Sequence, residues 1–146
     1  MIEVFVAFTK TTDLKELEKT LEAWNLSGME PVAIQVKANK FELHRRVTAE
    51  NLATGNYILA DLGYGPLEED FVKLAEVELR NYPDVGLIGV SLDAMICRKG
   101  IVTHWPTPRT QTYRKEHIEA YQHAGFEYRV SEKLHCYSLV TAARAN

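Results

Sequence analysis

The chain has little cysteine, few breakers of regular structure and no excess of cations. Two cysteines occur in 146 residues, Cys97 and Cys136, both inside apolar strand-like runs and far from any C-x-x-C spacing. That spacing excludes a disulfide framework or a zinc ribbon and predicts two buried, reduced thiols. No stretch approaches the roughly 20 apolar residues that a membrane-spanning helix requires. The opening run MIEVFVAF lacks the basic flank and small-residue cleavage site of a signal peptide and reads as a first strand. A soluble, cytoplasmic protein is the expectation. Lys and Arg number 17 against 20 Asp and Glu, a net charge of -3, so no basic field exists to hold nucleic-acid phosphates, and no nucleic-acid partner is expected.

What is present is apolar patterning. With 46% hydrophobic residues, 146 positions suffice for one core, which predicts a single domain over residues 1–146. The hydrophobic period switches repeatedly between short β-rich runs and longer helical stretches, as in an α/β sheet with crossover helices. Ile2 to Phe8 reads as a buried strand. Asp13 caps a helix, with Glu16 three positions on and Leu14, Leu17, Leu21 and Trp24 along one face.

Pro31 to Val36 is a second strand, and Lys40 to Leu52 a helix stopped by Gly55. Tyr57 to Ala60 is a third strand, Leu67 to Tyr82 the longest helix, and Val85 to Val90 a fourth strand. Ala94 to Cys97 and Ile101 to His104 read as a hairpin turned by Arg98-Lys99-Gly100. Tyr113 to Ala124 is a last helix stopped by Gly125. Tyr128 to Val130 and Leu134 to Val140 close the pattern.

The stretch GNYILADLGYGPLEEDF, residues 55–71, delivers a single acid, Asp61, from a strand end into a glycine-containing turn. The acids Glu68, Glu69 and Asp70 fit the start of a helix, where the macrodipole favours negative charge. His117 and His123 are six apart on one helix, not the four of a shared-face metal pair, and are expected at the surface or at a partner contact.

Three colinear pieces carry a family resemblance. Residues 46–59, RVTAENLATGNYIL, followed by Asp61 and Pro66, resemble the centre of family 2 glycosyltransferases, where a helix with Arg-Asn and a later Ala-x-Gly leads into a Tyr-Ile strand and an Asp-x-Asp motif. The run YPDVGLIG, residues 82–89, is similar to that family's next helix-to-strand junction. YRKEHIEAY, residues 113–121, ending in Ala124-Gly125-Phe126, is similar to the helix before its Gly-Gly-Phe segment.

The resemblance implies a GT-A fold: a Rossmann-like, mixed but mostly parallel sheet flanked by helices, binding a nucleotide sugar with Mn2+ or Mg2+ at its strand ends. Such an ion neutralises the diphosphate and prefers carboxylate oxygens. Asp61 matches the first acid of the motif, and the second falls on Gly63. Donor binding is thereby assigned to Asp61 and Gly63, with Arg45 and Arg46 as guanidinium forks for the pyrophosphate beside Lys37 and Lys40. Asp61 and a late histidine, His135, form the implied metal pair. Glu127 and Glu132 are the candidate bases for an acceptor hydroxyl. His104, Trp105, Arg109 and Tyr113 combine aromatic surface with polar donors, as an acceptor region does.

The pattern also departs from the family. Arg-Asn becomes Arg46-Val47, the early Asp-Asp-Gly-Ser turn is replaced by residues 36–40, and the acidic pair expected after Gly125-Phe126 is two isolated acids. Two readings stand: a small glycosyltransferase, or a GT-A-like binding or regulatory module without transfer chemistry.

Overall fold

The computed structural model of the chain describes residues 2–38, 40–91, 93–102, 105 and 114–139. Apolar residues on both faces of a strand require cover on both faces, and the central strands here have it. β1 (Glu3–Phe8), β2 (Pro31–Gln35), β3 (Tyr57–Ala60), β5 (Val85–Val90), β6 (Ala94–Cys97) and β7 (Glu127–Val130) form one sheet in the order β2-β1-β3-β6-β5-β7. β1 runs parallel to β2 and β3, β5 runs parallel to β7, and β6 alone is antiparallel to its neighbours β3 and β5.

Alternation along β1 explains the layering. Val4 and Val6 point to one face, where Leu17 and Trp24 of α1 (Leu14–Leu26) and Phe71, Ala75 and Leu79 of α3 (Phe71–Asn81) pack. Phe5 and Ala7 point to the other, against Phe41, Leu43 and Val47 of α2 (Lys40–Ala49) and Tyr121 of α4 (Arg114–His123). The fold is α/β, a mixed and mostly parallel sheet flanked by four helices. Among the described residues no helix is long and apolar enough to cross a membrane.

Several sequence expectations shift. α2 ends at Ala49, short of Gly55, because Asn51 takes the left-handed conformation (φ 51°); Leu52 N–H reaches the Val47 carbonyl and Asn51 N–H the Thr48 carbonyl. Asn tolerates that conformation, so the chain needs no glycine to stop the helix. Gly125 ends α4 by the same bonding pattern, as its position predicts.

The helix predicted from Leu67 starts at Phe71, and α1 is the longest helix. Ahead of Leu67, β4 (Tyr64–Pro66) pairs antiparallel with β8 (Cys136–Ser138) in a small second sheet. Leu67 N–H donates to the His135 carbonyl, so this backbone is spent on a ladder rather than a helix.

The hairpin expected at residues 94–104 is replaced. β6 is filled on both edges by β3 and β5, Ser91 and Asp93 belong to the β5–β6 turn, and Ile101 and Val102 are not strand. Leu14, placed inward by periodicity, is 70% exposed. His117, expected at the surface, is wholly buried between α2 and α4. Cys97 is buried and Cys136 partly so, and both are free thiols.

Candidate functional site

Parallel strands of open α/β sheets present their carboxyl ends to ligands, because loops and helix N-termini converge there. In this chain the carboxyl ends of β1, β2 and β3 lead into residues 9–13, 36–39 and 61–63. Thr9, Lys10, Thr11, Gln35, Val36, Lys37, Glu42 and Arg46 line an open groove of about 800 Å³ beside the ends of β1 and β2. An adjoining hollow of about 220 Å³, which shares Thr9 and Val36 with the groove, carries it to Lys40 and Asp61.

Asp61 follows β3 directly, and its N–H donates to the Asp93 carbonyl in the neighbouring β5–β6 turn. Its carboxylate meets Lys40 Nζ, the first residue of α2, at 2.7 Å, with the Lys40 side chain only 10% exposed. Burial pushes the Asp61 carboxyl above its ordinary range, against the downward pull of the Lys40 ammonium, and the Asp93 charge adds to the rise. Asp93 is itself raised by burial and pulled down by Lys40. Lys40 thus serves two carboxylates at the sheet edge.

Gly63 has φ 87°, and its N–H donates to Thr20 Oγ1 of α1 at 2.9 Å. A Cβ at this position would lie 2.9 Å from Glu16 Oε1. A carboxylate of α1 therefore approaches the turn, that of Glu16, a residue that sequence reading took only as a helix-start acid. Its signal was the capping spacing from Asp13, which is met by a different bond: the Asp13 side chain accepts from Lys15 N–H.

The other predicted site residues scatter. Arg46 lines the groove, where its side chain donates to the Gln35 carbonyl at 2.8 Å and to Glu50 at 3.0 Å. Arg45 turns away and its guanidinium lies 5.9 Å from the Trp105 ring. Trp105 is anchored at the far end of α2, its Nε1–H donating to Thr48 Oγ1 at 2.8 Å, and it borders a separate cleft of about 400 Å³ with Tyr57, Lys99 and Val102. α2 spans about 15 Å, so Trp105 and Asp61 stand at opposite ends of that helix. His104, Arg109 and Tyr113 lie outside the described residues.

Glu127 opens β7 and is therefore at the amino edge of the sheet, opposite Asp61. Glu132 follows β7 on the carboxyl edge, but three strand spacings, about 14 Å, separate β7 from β3. His135 is bound to Glu68: its N–H donates to one carboxylate oxygen and its Nδ1 lies 3.3 Å from the other. Glu68 is thereby a strap between the residues after β4 and those before β8, rather than a helix-start charge. Next to it the Cys136 thiol is pushed up to about 12 by burial and by the charges of Asp93, Glu68 and Asp61. Among the described residues no group of three His, Cys, Asp or Glu side chains converges as a metal cage.

Sequence reading missed a buried polar cluster under the α2–α4 face. His44 Nε2 is 3.0 Å from the Tyr121 hydroxyl, His117 Nε2 is 3.2 Å from the Phe41 carbonyl, and Trp105 packs on both rings at 4.7 and 4.4 Å. Tyr57 and Cys97 adjoin Tyr121 and are both raised by burial. The helical positions of His44 and His117 were legible, but their mutual packing across two helices was not.

No protein-family model matches the chain, and no curated protein matches it. Among solved structures the chain is similar to A197 from STIV, at 11% identity and a TM-score of 0.55 over 94% of this chain and 85% of that one. At that identity the likeness carries the α/β fold alone.

Proposed function

We propose that this chain is a glycosyltransferase-like protein that binds the nucleoside diphosphate of a nucleotide sugar in the groove at the carboxyl edge of β1, β2 and β3. The observation that carries the reading is the groove itself. It lies where an open α/β sheet takes ligands, it is cationic through Lys10, Lys37 and Arg46, and it ends at the Lys40–Asp61 pair. Its size suits a nucleotide, and its cations suit phosphate oxygens. The three colinear sequence resemblances to family 2 glycosyltransferases support the same reading.

Transfer of the sugar needs a base near the donor's anomeric carbon. The placement of Glu127 at the opposite edge and of Glu132 three strands away favours the second reading, a binding or regulatory module that holds the nucleotide sugar without transferring it.

The test is thermal unfolding with UDP, GDP, ADP and CDP and their sugar conjugates at up to millimolar concentration, with and without Mn2+. A binder raises Tm by linkage, by the equivalent of about 2.7 kcal/mol at a hundredfold excess over Kd. No shift with any nucleotide would sink the proposal. Release of free nucleoside diphosphate from a stabilising nucleotide sugar, with acceptor sugars supplied, separates the enzyme from the module.

A further inference from the structure

Resting on that reading, we infer that this site takes the diphosphate without a divalent ion, Lys40 and the groove's other cations supplying the charge that Mn2+ or Mg2+ supplies at an acidic pair. Three observations carry the inference. The one carboxylate that the strand end presents, Asp61, already holds an ammonium at 2.7 Å, from a lysine whose side chain is 10% exposed. A hard divalent ion and Lys40 Nζ would compete for the Asp61 carboxylate, and like charges so close repel in a partly desolvated setting.

The place of a second strand-end acid is held by a residue whose backbone disfavours any L side chain. Gly63 sits at φ 87°, and its missing Cβ would lie 2.9 Å from Glu16 Oε1. His135, the other residue with metal-ligand chemistry that the resemblance implies, meets Glu68, through its backbone N–H and through Nδ1, as its carboxylate partner.

The cations line two neighbouring hollows that share Thr9 and Val36. Lys10, Lys37 and Arg46 line the groove with Glu42, and Lys40 with Asp61 lines the hollow that continues it. The groove lining carries three cations against Glu42, with Arg46 also paired to Glu50, while Lys40 acts on both Asp61 and Asp93. The Glu42 carboxylate is itself tied down, accepting the Lys37 N–H at 2.6 Å. Lys10, Lys37 and Arg46 in the groove lining supply the donors that phosphate oxygens require. Lys40 is the pivot: with ligand present its ammonium bridges Asp61 and a phosphate oxygen, so Asp61 acts as the positioning residue for Lys40 rather than as a metal ligand.

Isothermal titration decides between the two charge carriers. UDP, GDP and inorganic pyrophosphate are titrated into the full chain in EDTA and again with Mn2+, at low and high salt. The inference expects the same Kd within twofold in EDTA and in Mn2+, weakening with salt as screened ion pairing does. It also expects at least tenfold loss in Lys40→Met, with recovery in Lys40→Arg. Should Lys40→Met fail to fold, Lys10→Ala and Lys37→Ala carry the same test, each weakening metal-free binding severalfold.

Binding that appears only with Mn2+, and that Glu16→Gln or Asp61→Asn abolishes, overturns the inference while leaving the nucleotide reading intact. Metal-free binding of pyrophosphate but of no nucleoside diphosphate leaves the cationic site standing and removes the nucleotide. Failure of all three probes removes both.

Discussion

His44 Nε2 lies 3.0 Å from the Tyr121 hydroxyl, both residues sealed between α2 and α4, while among the described residues His44 Nδ1 has no hydrogen-bond partner. Burial holds the imidazole well below its ordinary titration range, and the neighbouring His117 and Arg45 push it the same way. The folded chain therefore refuses a proton that the unfolded chain accepts near pH 6.5. Stability is complete above that pH and falls below it, by up to about 1.4 kcal/mol per pH unit for one such site. Urea unfolding at pH 7.5, 6.5 and 5.5 checks this, with His44→Phe expected to flatten the slope. An equal acid loss in the variant would assign the sensitivity to another group.

Lys40 and Asp61 are coupled in stability as well as in any ligand role. Because the folded Asp61 carboxyl is raised, its ionisation costs the fold: its contribution is most favourable below the unfolded value and is lost as pH rises through the folded one. Removing either partner leaves the other poorly compensated, whereas removing both relieves the desolvation. Lys40→Met and Asp61→Asn are each expected to destabilise, and the double variant by less than their sum, with a coupling of about 1–3 kcal/mol. Additive losses in denaturant unfolding would show that the pair is not energetically linked.

Two glycines separate packing from backbone strain. A Cβ on Gly86 would fall 2.7 Å from Tyr121 Cδ1 and 3.0 Å from both Ile101 Cδ1 and Phe126 Cβ, so Gly86→Ala overpacks β5 and is expected to cost about 1–3 kcal/mol. Gly28, at φ 88°, has nothing within 4 Å of a Cβ, so Gly28→Ala carries only the left-handed penalty of about 1 kcal/mol. Thermal unfolding of the two variants ranks them, and a neutral Gly86→Ala would contradict the close approach of α4 to β5.

Edge placement makes a sharp distinction among the candidate binding residues. Arg46→Ala is expected to weaken nucleoside diphosphate binding about tenfold, the worth of a hydrogen bond to a charged group. Glu127→Gln, at the amino edge, is expected to leave it unchanged. Titration calorimetry on both variants gives the answer, and a reversed order would move the ligand to the other edge.

The sequence by itself determined the strand and helix alternation, since apolar runs with period 2 or 3.6 dictate which side chains can be buried. It located Asp61 at a strand end and Gly125 at a helix end. It misread Gly55, because a tolerated left-handed Asn51 ended α2 first. It also misread residues 67–70, where Leu67 N–H pairs with the distant His135 carbonyl and the Glu68 carboxylate accepts from His135 N–H.

Which residues share a site was decided by tertiary structure alone. Glu127 and Asp61 read as members of one motif set until strand direction put them on opposite edges, and Lys40 read as one of several cations beside a pyrophosphate until α2 packing set it on Asp61. The physical reason is one of range. Periodicity and capping act within a few residues along the chain, whereas the charge balance at Asp61 depends on groups from α2, β3 and the β5–β6 turn that only the folded sheet brings together.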